Sequence, residues 1–224
     1  CLLGNVHAFS GVNVQLALLS ITETKLIDSV KISGSGKFKF NFKLKNPELV
    51  VIRNKNNQVI SLLTFPGDRI SLDIEGSNFS MDYSVEGSEE SQQIKSLVEN
   101  VAKTRHKLDS ISEEFEVLED KESPKADLLV SAYQQLYKEQ RRHNIRFVVE
   151  HIASLSSVYA LYQRISPEIY ILNELKDLQY FKIVSDSVAP KYPNSTLTRT
   201  LVADVEKRLK EYNNMLAINK ISSK

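Results

Sequence analysis

Up to residue 86 the apolar side chains alternate with polar ones. In KFKFNFKLK, Phe38, Phe40, Phe42 and Leu44 take turns with Lys39, Asn41 and Lys43. Val12, Val14, Leu16 and Leu18 do the same around Asn13 and Gln15, and Ile70, Leu72 and Ile74 repeat the pattern in ISLDI. A period of two sends successive side chains to opposite faces of a strand, one face buried and the other wet. Turn-forming segments separate the runs: SGSGK at 33–37, NKNNQ at 54–58 and FPGD at 65–68. Pro-Gly suits the two central positions of a type II turn, because glycine accepts positive φ at the second of them. The pattern predicts seven or eight antiparallel strands over 1–86, packed as a β-sandwich or a partly open barrel.

Near residue 88 the period lengthens to that of a helix. Ile94, Leu97, Val98, Val101, Leu108, Ile111, Phe115 and Leu118 recur at three- and four-residue steps and form one apolar stripe. Ser88 followed by Glu89 and Glu90 is a helix start: the hydroxyl accepts first-turn amides and the acids suit the positive helix end. A break at 121–124 precedes a second helix over 125–152, through Leu129, Tyr133, Leu136, Ile145 and Val148. Shorter helices are expected at 156–165 and 173–188, separated by Ser166-Pro167. A last helix is expected from Ser195 to about Tyr212, with Leu197, Leu201, Val205 and Leu209 at four-residue steps and a frayed polar tail, NKISSK. The fold class read from these periods is α+β, an antiparallel β domain over 1–86 followed by an all-α helical domain over 87–224.

Charge narrows the partners. With 29 basic and 28 acidic side chains the formal charge is +1, which gives no general attraction to nucleic acid or anionic lipid. No apolar run approaches the roughly 18–20 residues that span a membrane as a helix. Cys1 is the single cysteine, so an internal disulfide, a CxxC redox pair and a cysteine-rich zinc site are all excluded.

Each motif with a chemical reading has a plainer one. The Gly-Lys of SGSGKF fails as a phosphate loop, because that motif needs glycine at 31 and Ser or Thr at 38, where Lys31 and Phe38 stand; a hairpin turn is expected instead. His7, His106, His143 and His151 lack the i, i+4 spacing of a helical metal pair and read as solvated. No serine sits in a GxSxG elbow. EEFEVLED (113–120) reads as the wet face of an amphipathic helix, and Arg141, Arg142 and Arg146 of RRHNIR as a solvated or salt-bridged face. Tyr133, Tyr137, Tyr159, Tyr162, Tyr170, Tyr180 and Phe181 read first as core, with a groove for an extended peptide or small apolar ligand as the alternative. No nucleophile, base and orienting group come together, so no catalytic residue, cofactor or metal site is assigned and the chain is expected not to be an enzyme.

IDSVKISGSGKFKF (27–40), LLTFPGDRISLDI (62–74), YSVEGSEES (83–91) and KYPNSTLTRTL (191–201) occur in an order that resembles a known family. It is the amino-terminal domain of unknown function, with its helical segment, of thioredoxin-like lipoproteins of Bacteroides-type bacteria. The resemblance implies an exported protein of the periplasm or outer membrane, anchored through a lipid on Cys1 and touching the membrane only there. It implies a non-catalytic accessory module that positions a thioredoxin-like domain beyond Lys224, or that domain's substrates. The alternative is a stand-alone binding protein for a peptide or glycan-derived ligand. For Cys1 itself, a redox role is disfavoured by the lack of a resolving thiol and by its place at a chain end expected to be mobile. A rival to the lipid anchor takes Val6 and Ala8 as a cleavage signature, with the mature chain starting at Phe9.

Overall fold

The computed structural model describes residues 1–6, 11–19 and 24–222. His7 and the proposed cleavage site before Phe9 lie outside these residues. Among the described residues eight strands run before residue 87: β1 (Leu2–Val6), β2 (Asn13–Leu19), β3 (Thr24–Lys31), β4 (Lys37–Phe40), β5 (Glu48–Asn54), β6 (Val59–Thr64), β7 (Ile70–Ile74) and β8 (Tyr83–Glu86). They form two four-stranded sheets, ordered β4-β1-β7-β8 and β3-β2-β5-β6. The sheets stack as an open sandwich and do not close into a barrel. Leu2, Phe40, Ile70, Leu72 and Ile74 of the first sheet meet Val14, Leu16, Val50, Ile52, Ile60 and Leu62 of the second in one core.

Three details differ from the sequence expectation. β1 and β7 pair in parallel, Leu2 opposite Ile70 through Val6 opposite Ile74, inside an otherwise antiparallel array. A parallel neighbour needs a long crossover, and here the whole second sheet supplies it. The SGSGK turn is not a hairpin: β3 pairs with β2 and β4 with β1, so the turn is a corner between sheets. Gly36 has φ +78° there, while the Ser33 amide donates to Lys37 O and the Lys37 amide to Ser33 Oγ. The alternating run also ends early. Phe40 pairs with Leu2, where β1 begins, so Phe42 and Leu44 fall outside the ladder.

The helical part comprises α1 (Glu89–Glu116), α2 (Pro124–Glu150), α3 (Leu155–Leu161), α4 (Leu178–Val188) and α5 (Thr196–Ser222). Ser88 caps α1 by accepting from the Ser91 amide, and Ser123 caps α2 with Pro124 in its first turn. The expected helix 156–165 stops at Leu161. A small hairpin, β9 (Arg164–Ser166) and β10 (Ile169–Tyr170), follows it, because Pro167 drives the residue before it into extended geometry. A 3-10 turn at Leu175–Asp177 replaces the start of the next predicted helix. α5 runs ten residues past Tyr212, through a segment free of glycine and proline in which helix propagation meets no stop signal.

A second core lies between the helices and the outer face of the second sheet. Leu49 of β5 and Leu63 of β6 join Ile94, Leu97, Leu155, Val158, Phe181, Leu197 and Leu201 in it. The second sheet is thus covered on both sides, and the order of layers is sheet, sheet, helices. Its central strand β5 carries the mark of that position: LVVI at 49–52 is apolar without interruption, as double-sided burial requires.

Candidate functional site

A cleft of about 560 Å³ opens where the helices leave the second sheet. Its sheet side carries Leu19 and Leu49, and α1 contributes Val98, Val101, Ala102 and Arg105. Those four residues are spaced three, one and three apart, one face of a helix over about 10 Å of rise. The opposite wall is Val158, Tyr159 and Tyr162 of α3 and its end, then Gln163, Arg164 and Tyr170 of the hairpin. The volume is that of a small-molecule or short-peptide site.

The rings are held before any ligand arrives. Tyr159 is hydrogen-bonded to Ser61 of β6, and burial pushes its hydroxyl pKa above the usual tyrosine range. The Tyr162 hydroxyl donates to Asp204 Oδ2 at 2.7 Å; its ring meets Phe181 edge-on at 5.4 Å. Burial, and then the bond to Asp204, raise its pKa as well. Asp204 also accepts from Arg208 Nε at 2.9 Å. Tyr170 lies under the guanidinium of Arg164, 4.3 Å from the ring centroid. Arg105 Nε donates to Ile165 O at 2.9 Å and ties the hairpin to α1.

The aromatic set therefore divides. Tyr159, Tyr162 and Tyr170 converge on the cleft. Phe181 is core, and Tyr180 packs against the same core. The Tyr137 hydroxyl donates to Tyr170 O at 3.3 Å, and Tyr133 lines a separate groove at the far end of α1 and α2 with Ile111, Phe115 and Leu129. Arg105 went unread in the sequence; the one signal that could have found it is its step from Val98 and Val101, which continues the apolar face into the charged string KTRHK at 103–107.

Of the solvated or salt-bridged face expected here, Arg141 takes the salt-bridged form, and it is not solvated. It is buried, with Nη1 2.7 Å from Asp177 Oδ2, Nη2 on Asp177 Oδ1 and Nε 3.2 Å from Glu174 Oε1. Arg142 and Arg146 are exposed. Beside this pair, Asn144 Nδ2 donates to Gln163 Oε1 and Ala160 O, and Gln140 Nε2 donates to Asn144 Oδ1. This network pins α2 to the end of α3 and the start of α4. Glu113, Glu114, Glu116, Glu119 and Asp120 are exposed at the far tip of the α1–α2 hairpin. His106 is exposed, and His151 stacks on Phe147. His143 has its pKa lowered by burial and then by Arg146. Among the described residues no three His, Cys, Asp or Glu side chains gather as metal ligands.

Three of the four segments that carry the family resemblance meet at one corner. In the FPGD turn, Asp68 Oδ2 accepts from the Phe65 amide at 2.8 Å and Gly67 takes φ +93°. Phe65 meets the ring of Tyr192, of YPNS, edge-on at 5.7 Å. Leu63 O accepts from both Ser88 Oγ and Ser91 Oγ at 2.9 Å, and the Leu63 amide donates to Ser91 Oγ at 3.0 Å. Gly87, at φ +83°, lies so close to Arg69 O that no Cβ fits. Cys1 belongs to the same corner: its nitrogen donates to Asp68 O at 2.9 Å and its carbonyl accepts from the Ile70 amide at 3.0 Å. Its thiol is exposed, but its backbone is fastened to the start of β7, contrary to the expectation of a mobile end.

These features define an α+β protein in which an open two-sheet sandwich supports a helical layer with a cleft between them. A family model described as a domain of unknown function (DUF4369) matches residues 3–94, which hold the strands of the sandwich and the start of α1. No curated protein matches the chain.

Proposed function

We propose that the chain is a non-catalytic interaction module of a cell-envelope lipoprotein, positioning a thioredoxin-like domain or its substrates by holding an extended peptide segment in the cleft. The observation that carries the reading is the cleft itself: three rings from α3 and the hairpin face an apolar strip of α1 across about 560 Å³. Such a site, mostly apolar with a few fixed polar groups, is the usual form of a binding pocket. With a single thiol in the chain, dithiol chemistry would have to come from elsewhere. On this reading the protein is exported, Cys1 carries the lipid, and neither cofactor nor nucleic acid takes part.

Titration with unstructured octapeptides rich in apolar residues, followed by NMR of ring-labelled tyrosine, tests the proposal. Saturable binding should move the resonances of Tyr159, Tyr162 and Tyr170. Binding that leaves those rings untouched, or no binding, overturns it. The alternative is a stand-alone binding protein for a peptide or glycan-derived ligand, supported by the same ring-lined cleft. The gene beyond Lys224 separates the two, a CxxC-bearing domain supporting the first and an immediate stop codon the second.

A further inference from the structure

We infer that the cleft recognises a carboxylate, and that its occupant is the carboxyl-terminal end of a peptide, with the α-carboxylate on Arg105 at the mouth and the last apolar side chain inside. The inference rests on the binding reading above and adds the chemistry of the ligand. Among the described residues two charged side chains line the cleft, Arg105 and Arg164, and no carboxylate does. Both are exposed at its mouth and both are already oriented. Arg105 gives Nε to Ile165 O at 2.9 Å and Nη2 to Arg164 O at 3.4 Å. That occupies two of the five N–H donors of a guanidinium and leaves its Nη1 edge without a partner among the described residues. Arg164 is held by Pro167 O at 2.6 Å and by the Tyr170 ring. A carboxylate is the planar two-oxygen acceptor that such a fork fits, and a fork fixed in advance loses little freedom on binding. Asp204, behind Tyr162, is already matched by Arg208 and does not compete.

The polar groups deeper in the cleft explain why a chain end fits better than a segment passing through. The Tyr162 hydroxyl is committed to Asp204 and Gln163 Oε1 to Asn144. An internal segment would bring peptide groups on both sides of its buried side chain into a space with few free partners, which is costly. A chain end brings one side chain and one carboxylate, and the carboxylate is answered at the mouth.

The test is fluorescence anisotropy with the full chain and an amino-terminally labelled hexapeptide ending in Val-Phe, made in three forms. These are the free acid, the carboxyl-terminal amide, and an amide carrying glutamate before the final phenylalanine. The free acid should bind at least tenfold more tightly than the simple amide. Arg105→Gln should bring the two within twofold by weakening the acid more than the amide, and Arg105→Lys should restore part of the preference. Equal binding of acid and amide overturns the inference while leaving the cleft a peptide site. A glutamate amide that matches the free acid overturns the chain-end assignment. Equal weakening of acid and amide by Arg105→Gln would reduce Arg105 to a prop for the hairpin and also overturn it. Failure of all three forms to bind overturns the inference together with the reading beneath it.

Discussion

Replacing Ser91 by alanine tests the junction between the sandwich and the helices. Leu63 sits on β6, an edge strand, and turns its amide and carbonyl away from β5. Ser91 answers both groups, and Ser88 answers the carbonyl a second time. In Ser91→Ala the carbonyl keeps Ser88, but the Leu63 amide is left buried without a partner. An orphaned buried donor costs about 1–3 kcal/mol. A loss of about 2 kcal/mol would lower the melting temperature of a chain this size by about 4–8 °C. Ser88→Ala removes the helix cap, at about 0.5–2 kcal/mol, while its share of the carbonyl is still covered by Ser91. Each single variant therefore leaves the carbonyl answered, and only the double variant strands it. Urea unfolding at constant m should show the double variant losing about 1 kcal/mol more than the sum of the singles. A Ser91→Ala stability within 0.5 kcal/mol of the parent, or strict additivity, would refute the reasoning.

Gly87→Ala should destabilise by about 2 kcal/mol or more in thermal unfolding, since it adds a left-handed conformation for a side-chain-bearing residue to a collision with the Arg69 backbone. Asp177→Asn should cost about 3 kcal/mol in urea by removing the buried carboxylate of Arg141 and leaving it only the half-exposed Glu174, and the double variant Arg141→Met with Asp177→Leu should cost less than that single change. Burial raises the carboxyl pKa of Glu48 and of Glu90, although Thr196 and the Ser154–Ser156 turn partly oppose it. The folded protein therefore holds protons that the unfolded chain has released, so stability should fall as pH rises from 4.5 through the raised values. A Glu48→Gln, Glu90→Gln variant should show a flatter urea midpoint between pH 4.5 and 7; an unchanged slope would assign the effect elsewhere.

The alternation around Phe38, Val14 and Ile70 announced the sandwich because those strands bury one face each. β5 and β6 were harder to read as a boundary between layers. An unbroken run such as LVVI says that both faces are covered but not by what, and the answer lies in Leu97 and Leu197, far along the chain. The parallel β1–β7 pair left no local trace either, because strand direction depends on the path between strands and not on their own periodicity. The salt bridge of Arg141 was among the readings its sequence allowed, but its burial was not, for a related reason. A helix wheel shows which side a charge occupies, whereas burial of that charge depends on Asp177 arriving from another element. The cleft was half legible: the tyrosines stood out by composition, but only the fold separates Tyr159, Tyr162 and Tyr170 from Phe181, and only the fold brings Arg105 across from α1 to meet them.

The second sheet is one wall shared by two rooms. Loosening the helices removes the cover from Leu49 and Leu63, and loosening the sandwich removes the floor from the cleft. A fragment ending where the family match ends, at residue 94, would therefore carry a naked apolar sheet face and should tend to associate rather than stand alone in solution. The same wall couples binding to folding. A ligand settling beside Leu49 steadies one face of the strand whose other face, Val50 and Ile52, holds the sandwich together, so occupancy of the cleft should be felt as slower amide exchange in strands that never touch the ligand.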